Sequence, residues 1–157
     1  MKEELANLLY DRYPLIFAKK IGIECGDGWY NIIHALCHSI QTHIDNVARQ
    51  KEWAIKKNAQ PVKSGIDLDN KPCDIPDLVV QVNVQQIKEK FGTLRFYVSG
   101  GNTTTSGMIS MADALSEMTC EECGAPGKRR QGSWIRTLCD QHHTAQSLGA
   151  PSDFLKA

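Results

Sequence analysis

Apolar residues recur at steps of three and four along residues 29–49, which is the spacing of one buried helix face. We predict a long helix there, reaching about Arg49 or further and forming the main element of the core. Its apolar positions are Trp29, Ile32, Ile33, Leu36, Cys37, Ile40, Ile44 and Val47. The same spacing predicts a first helix over residues 2–9, and Pro14 suits the first turn of a second helical piece with apolar residues at 15–17.

Alternating apolar and polar residues between positions 78 and 99 predict a β-hairpin. The apolar positions are Leu78, Val80, Val82 and Val84 in the first strand and Leu94, Phe96 and Val98 in the second, after a turn at Phe91 and Gly92. The apolar face must pack on the long helix, while the other face presents amides, Arg95 and Tyr97. This second face is either the solvent side of a small sheet or a recognition platform, where Tyr97 stacks on a ligand and Arg95 pairs with an anion.

Glycines and polar residues separate these elements. Residues 22–28 predict a loop in which glycines permit tight turns and Asp27 is suited to cap the long helix. A phosphate-binding role for this loop has weak support, because its sequence fits no nucleotide-binding pattern. Residues 58–77 are rich in proline and acidic residues and predict a long surface loop. A third helix follows the hairpin, with cap candidates among residues 103–106.

Three cysteines and one histidine near the C-terminus have the spacing of a closed zinc site. Cys120 and Cys123 form a CxxC pair, and Cys139 and His142 form a CxxH pair after the intervening residues 124–138. The i,i+3 spacing of the second pair places both ligands on one face of a helix start. We predict one structural Zn²⁺ held by these four residues, with the adjacent His143 as the alternative fourth ligand.

The two ligand pairs enclose a predicted short hairpin. Residues 128–130, a turn at Gly132 and residues 134–138 precede a last helix to about Leu148. Knuckle, hairpin and helix in this order resemble a treble-clef zinc finger. We therefore predict an α+β fold, with a long helix packed on a small antiparallel hairpin or sheet and a C-terminal treble-clef-like finger. The predicted divisions are a core domain over residues 1–118, the finger over residues 119–150 and a frayed tail over residues 151–157.

The chain has 18 basic and 18 acidic residues, so its formal net charge is zero. This balance argues against a general nucleic-acid or membrane-surface binder, which would carry a strong basic excess. No apolar run is long enough to span a bilayer and the first residues lack a signal-peptide pattern, so we expect a cytoplasmic protein with no membrane partner. In a reducing compartment, the three cysteines outside the zinc pattern are expected to be buried small residues: Cys25, Cys37 and Cys73.

Two further clusters carry chemistry that a ligand would use. Tyr10, Arg12 and Tyr13 predict either a stacking and hydrogen-bonding surface for a planar ligand or an ordinary corner between helices. On the long helix, His34 and His38 have the four-residue spacing of the HExxH zinc-protease pattern. An alanine replaces the glutamate base of that pattern, so we expect ordinary helix histidines rather than a second metal site.

Several segments resemble a group of small, uncharacterised proteins encoded in bacteriophage and prophage genomes. They are ECGDGW at residues 24–29, KEKFGTLRFYVSGG at 88–101, TCEECGAPG at 119–127 and WIRTLC at 134–139. The resemblance spans nearly the whole chain and implies a phage setting, in the cytoplasm of a bacterial host. It brings no assigned activity with it.

The sequence supports three functional hypotheses. The first is a non-catalytic binding protein that engages a host protein or a small nucleotide and so alters host defence or metabolism. The second is DNA or RNA binding, in which four basic residues on the zinc hairpin contact phosphates: Lys128, Arg129, Arg130 and Arg136. The third is a metal-dependent nuclease, which the sequence disfavours because only His143 lies near the zinc ligands and no catalytic set is complete.

Overall fold

Four helices and two small sheets make up the described part of the chain, residues 1–60, 72–132 and 134–147 of the computed structural model. The helices are α1 (Glu3–Arg12), α2 (Tyr30–Asn58), α3 (Thr103–Ser116) and α4 (Asp140–Ser147). The strands are β1 (Ile23–Glu24), β2 (Val80–Lys90), β3 (Thr93–Gly101), β4 (Lys128–Arg130) and β5 (Arg136–Leu138). The predicted α+β class is therefore confirmed.

The larger sheet has the strand order β1-β2-β3, with β1 parallel to β2 and β2 antiparallel to β3. Its hairpin turns at residues 91–92, as predicted, but the alternation of buried residues along β2 changes phase. Val82 and Val84 are buried, and the next buried residue is Ile87 rather than residue 86. A register shift between Val84 and Gln86 inserts the extra residue. A bulge of this kind moves every later side chain to the opposite face.

Two segments before the long helix differ from their prediction. Ile23 and Glu24 were assigned to a loop, yet they pair with Ile87 and Lys88 as a third strand. Residues 14–19, predicted to restart a helix at Pro14, form successive turns instead. These turns bury Ile16 and Phe17 and leave Leu15 exposed.

The predicted long helix is confirmed and extends beyond Arg49, from Tyr30 to Asn58. One turn of 3-10 helix, Asp27–Trp29, precedes it. Asp27 was predicted to cap the helix, but this was wrong. Its side chain instead accepts a hydrogen bond from the backbone N–H of Lys2 at 2.7 Å. Helix α2 and the sheet enclose the core, which includes Leu9, Ile16, Phe17, Trp29, Ile33, Leu36, Ile40, Val82, Val84, Ile87, Leu94 and Phe96.

Helix α3 begins with a capping box one residue earlier than predicted. The Asn102 side chain accepts from the Thr105 N–H at 3.1 Å, and the Thr105 hydroxyl accepts from the Asn102 N–H at 2.8 Å. At its other end, the Ser116 hydroxyl accepts from the backbone N–H of Leu94 at 2.8 Å. The capping box therefore fixes the start of α3, and the Ser116 bond ties its last residue to β3.

Of the predicted loop at residues 58–77, the structure describes residues 58–60 and 72–77. The Asn58 side chain both donates to and accepts from the backbone of Cys73, at 2.8 Å each. Residues 61–71 and the whole tail lie outside the described residues. None of the described helices combines the length and apolar character needed to cross a bilayer.

Residues 26–29 connect the larger sheet and α2 to the cysteine-rich C-terminal segment. The backbone N–H groups of Gly26 and Gly28 donate to Oε1 and the carbonyl of Glu121, at 2.9 and 2.8 Å. The indole N–H of Trp29 donates to the carbonyl of Thr119 at 2.9 Å. A Cβ on Gly26 would lie 2.2 Å from the Glu121 carbonyl oxygen, and one on Gly28 would lie 2.2 Å from that of Cys120. The glycines therefore permit close contact between two segments. At Gly26 the missing side chain matters and not the backbone conformation, because its φ of −70° is open to any residue.

Substitution of Gly28 by alanine should lower the free energy of unfolding by at least about 2 kcal/mol, because the added methyl group meets backbone atoms that cannot move independently. Chemical denaturation measures the change. Gly22→Ala is the matched control, since a Cβ at Gly22 has no heavy atom within 4 Å. Equal stability of the two variants would contradict the close contact described here.

Candidate metal centre

Cys120, Cys123, Cys139 and His142 come together in the C-terminal segment, with their ligand atoms all within 4.8 Å of one another. The Sγ atoms of Cys123 and Cys139 are 3.9 Å apart, and His142 Nδ1 lies 3.7 Å from Cys120 Sγ and 3.1 Å from Cys139 Sγ. A tetrahedral ion with metal–sulfur bonds of about 2.3 Å has ligand-to-ligand edges of about 3.8 Å. The group can therefore hold a metal ion.

Local backbone geometry presents these four ligands. After the CxxC pair, Gly124 adopts a φ of +77°, and its N–H donates to the Cys120 carbonyl at 2.9 Å, which closes the knuckle. Strands β4 and β5 then return the chain to Cys139, immediately before α4. The His142 N–H points to Cys139 Sγ at 3.5 Å, as at a helix N-cap. Of the two candidate histidines, His142 belongs to the group of four.

The environment acts differently on two of the thiols. Desolvation and the neighbouring Cys120 thiol raise the pKa of Cys123 to about 11. Desolvation also raises the pKa of Cys139, but hydrogen bonds with His142, Cys120 and Cys123 outweigh it and lower the value to about 7. A metal cation binds thiolates, so its binding must displace a proton from Cys123 at neutral pH.

A buried ion pair fixes the knuckle to the rest of the protein. Glu121 is 5 % exposed, and its Oε2 accepts from Nε and Nη2 of Arg136 at 3.0 and 2.9 Å. Its Oε1 accepts from Gly26, so one carboxylate joins the knuckle, β5 and the segment before α2. Arg136 also donates to Glu122 at 2.6 Å. Arg136 was predicted to contact phosphates, but its guanidinium is occupied by these two carboxylates.

The other predicted nucleic-acid residues differ in availability. Lys128 and Arg130 both pair with Asp140, at 3.5 and 2.5 Å. Arg129 is exposed and has no carboxylate within ion-pair distance among the residues that the structure describes. The ion pairs therefore leave Arg129 as the basic side chain of this hairpin that is most available to an external anion.

The tyrosines of the first predicted ligand cluster are used in packing. The Tyr10 hydroxyl donates to the Ile21 carbonyl at 2.6 Å, and its ring meets that of Phe17 edge-on at 5.3 Å. Tyr13 is 5 % exposed, with its ring centroid 5.6 Å from that of His34. Burial raises the pKa of both tyrosines. The third member of the cluster, Arg12, is exposed. The structure thus places these two tyrosines at a packed corner between α1 and α2.

The predicted platform on the hairpin is also partly occupied. Arg95 Nη1 pairs with Asp113 Oδ2 of α3 at 2.5 Å, so its guanidinium already has an anionic partner. Tyr97 is exposed, and Lys88 Nζ lies 5.8 Å from its ring centroid.

The two histidines of the HExxH-like spacing belong to no metal-ligand group within the described ranges. His34 is half-buried beside the rings of Tyr13 and Tyr30, while His38 is exposed. Desolvation, together with Arg12 and His38, lowers the pKa of His34.

One surface feature was missed from the sequence. Phe91, at the turn between β2 and β3, has a φ of +55° and is 59 % exposed, and Trp134 in the β4–β5 hairpin is 68 % exposed. Hairpin turns with positive φ favour asparagine, aspartate or glycine. A phenylalanine before Gly92 is therefore unusual, and this residue choice could have pointed to an exposed ring at the turn. The two aromatic residues help to line a groove of about 400 Å³, which we call the tip groove. Its lining residues are Glu89, Lys90, Phe91, Gly132, Trp134 and Ile135.

Comparison with known proteins gives no matching family model, no matching curated protein and no matching solved structure.

Replacement of Cys123 by serine should remove the bound metal and unfold at least the residues after Thr119, because metal binding supplies much of the folding free energy of such small segments. Elemental analysis and thermal melting measure the two effects. Cys73→Ser is the control, since Cys73 lies outside the ligand group. A Cys123→Ser protein with full metal content and unchanged melting would show that the group is not a metal site.

Proposed function

We propose that the four-ligand group binds one Zn²⁺ ion and that this ion has a structural role. Three thiolates and one imidazole are a common zinc ligand set, and four protein ligands fill a tetrahedral site without leaving a position for water or substrate. The order of CxxC knuckle, β4–β5 hairpin and α4 supports a treble-clef type of zinc finger. A metal ion enclosed in this way stabilises the fold and takes no part in a reaction.

On this scaffold we propose a non-catalytic binding protein that is made in a phage setting and engages a host protein or a small nucleotide, to counter host defence. The phage setting and the host ligand rest on the sequence resemblance, and the observation that carries the binding role is the conformation of Phe91. A left-handed backbone costs a residue with a side chain roughly 1 kcal/mol, and Phe91 gains little burial in return because it is 59 % exposed. An exposed aromatic ring held in a strained turn is well suited to contact a ligand.

The zinc segment has a direct part in forming this binding surface. The Thr137 hydroxyl of β5 donates to the Gly92 carbonyl at 2.6 Å and is buried. This bond joins the β4–β5 hairpin, which carries Trp134, to the turn that carries Phe91. We therefore expect the tip groove to form only when the zinc segment is folded.

The binding function can be tested with a variant that removes both rings, Phe91→Asn with Trp134→Ala. Asparagine tolerates positive φ, so the fold should be as stable as that of the original protein or slightly more stable. A ligand recovered from a host extract on the immobilised, zinc-loaded protein should be identified, purified and titrated by calorimetry. We expect its affinity for the variant to fall by a factor of about 10 or more.

The matched control is Trp53→Ala, which removes a similarly exposed ring on α2. This change should leave the affinity unaltered. The proposed function is wrong if the purified ligand binds the double variant as tightly as the original protein, or if the protein turns the ligand over.

A further inference from the structure

Aromatic and cationic side chains continue from the tip groove along one face of the β2–β3 hairpin. Lys88 lies opposite Arg95 in the strand register, and residues directly opposite each other share a face of the sheet. Tyr97 is two residues from Arg95 and so lies on that face as well. Lys88 Nζ is 5.8 Å from the Tyr97 ring centroid, and Lys90 Nζ is 5.3 Å from that of Phe91. Tyr97 and Phe91 therefore each have an ammonium group beside the ring.

Arg129 extends this arrangement from the neighbouring hairpin. It lies opposite Thr137 in the β4–β5 register, so the two side chains share a face. The Thr137 hydroxyl reaches the Gly92 carbonyl, which places Arg129 on the side of the hairpin that faces the β2–β3 turn. We call the complete set the aromatic–cation strip: Tyr97, Lys88, Lys90, Phe91, Trp134 and Arg129.

Positive charge exceeds negative charge around the strip, which favours an anionic ligand. Of the nearby carboxylates, Asp113 pairs with Arg95 and Glu122 pairs with Arg136. Glu89 accepts from the Gly92 N–H at 2.6 Å and keeps its negative charge, so one carboxylate stands against the three cations of the strip. The three cations of the strip have no carboxylate within ion-pair distance in the described ranges. The zero net charge of the chain thus conceals a local excess of positive charge beside exposed rings.

We infer that the aromatic–cation strip binds an unpaired nucleic-acid strand. This ligand goes beyond the host protein or small nucleotide proposed above, and the inference rests on the proposed role of the tip groove as a binding surface. Bases stack on the exposed rings of Tyr97, Phe91 and Trp134, and phosphates pair with the three cations of the strip. Residues 86–91, from the position opposite Tyr97 to the turn, span about 17 Å at about 3.3 Å per residue. That length suits several linked nucleotides better than one. A duplex keeps its base faces stacked inside and offers them to none of these rings.

Fluorescence anisotropy tests this inference with the full, zinc-loaded chain and a labelled single strand of about 12 nucleotides, as DNA and as RNA, in about 50 mM salt. We expect the strand to bind at least about tenfold more tightly than its duplex or a mononucleotide. Phe91→Asn and Trp134→Ala should each weaken binding by roughly 5- to 150-fold, the range for loss of one stacked base. Lys90→Gln with Arg129→Gln should reduce the slope of log affinity against log salt by about 1.4.

Helix α2 supplies the matched control. Lys57 Nζ lies 5.1 Å from the ring of Trp53, which is 58 % exposed, so this pair has the same chemistry in another place. Trp53→Ala with Lys57→Gln should leave strand affinity and salt slope unchanged. An equal loss in this control would overturn the inference, as would a duplex, a mononucleotide or polyglutamate that binds as tightly as the strand.

The same variants separate this inference from the broader function. If single strands do not bind, but a purified host ligand binds the original protein and loses affinity for Phe91→Asn with Trp134→Ala, the strand inference fails and the binding function stands. If neither a strand nor a host ligand depends on these two rings, both fail.

Discussion

The close contact between the CxxC knuckle and residues 26–29 is the interaction on which the rest of this structure depends. Two backbone N–H groups and one indole N–H reach across it to Glu121 and Thr119, and two glycines leave room for the opposing backbone. The buried Glu121 carboxylate is satisfied by donors from both sides of the contact. Trp29, fully buried at the start of α2, joins this contact directly to the hydrophobic core.

The C-terminal segment has few other means of holding its shape. Among its described residues, the buried apolar side chains are only those of Cys120 and Leu138. A segment with so little apolar burial depends on hydrogen bonds, the Arg136–Glu121 pair and the proposed zinc ion. Because Thr137 ties the same segment to the β2–β3 turn, the tip groove and Arg129 depend on it too. The stability of the C-terminal segment and the proposed binding surface thus both depend on the packing of this segment against the rest of the protein.

Much of this arrangement could be predicted from the sequence where the signal is local. Helix α2 and the β2–β3 hairpin repeat their apolar period over many residues, and the CxxC and CxxH spacings identify the ligands by chemistry. Strand β1 has two residues, too few to display a period, and one inserted residue after Val84 reverses the faces of β2. These two features arise from pairing between distant segments, which a local pattern does not contain.

The roles of several polar and glycine residues also depend on partners far away in the chain. Gly26 and Gly28 looked like turn residues, whereas their partners lie more than ninety positions later in the chain, near Glu121. Arg136 and Arg95 looked available to anions because their carboxylate partners belong to other elements. Phe91 was correctly assigned to a turn, but its place beside Trp134 was not predicted, because Trp134 belongs to a separate hairpin about forty residues later.

Hydrogen exchange at the Gly28 amide and the Trp29 indole N–H, with bound zinc and after its removal by a chelator, tests the central contact most directly. Both groups donate across the contact, so both should be protected in the zinc-loaded protein and exchange much faster without metal. Amides in the middle of α2 should keep more of their protection. Unchanged exchange at Gly28 and Trp29 after complete metal removal would contradict the account.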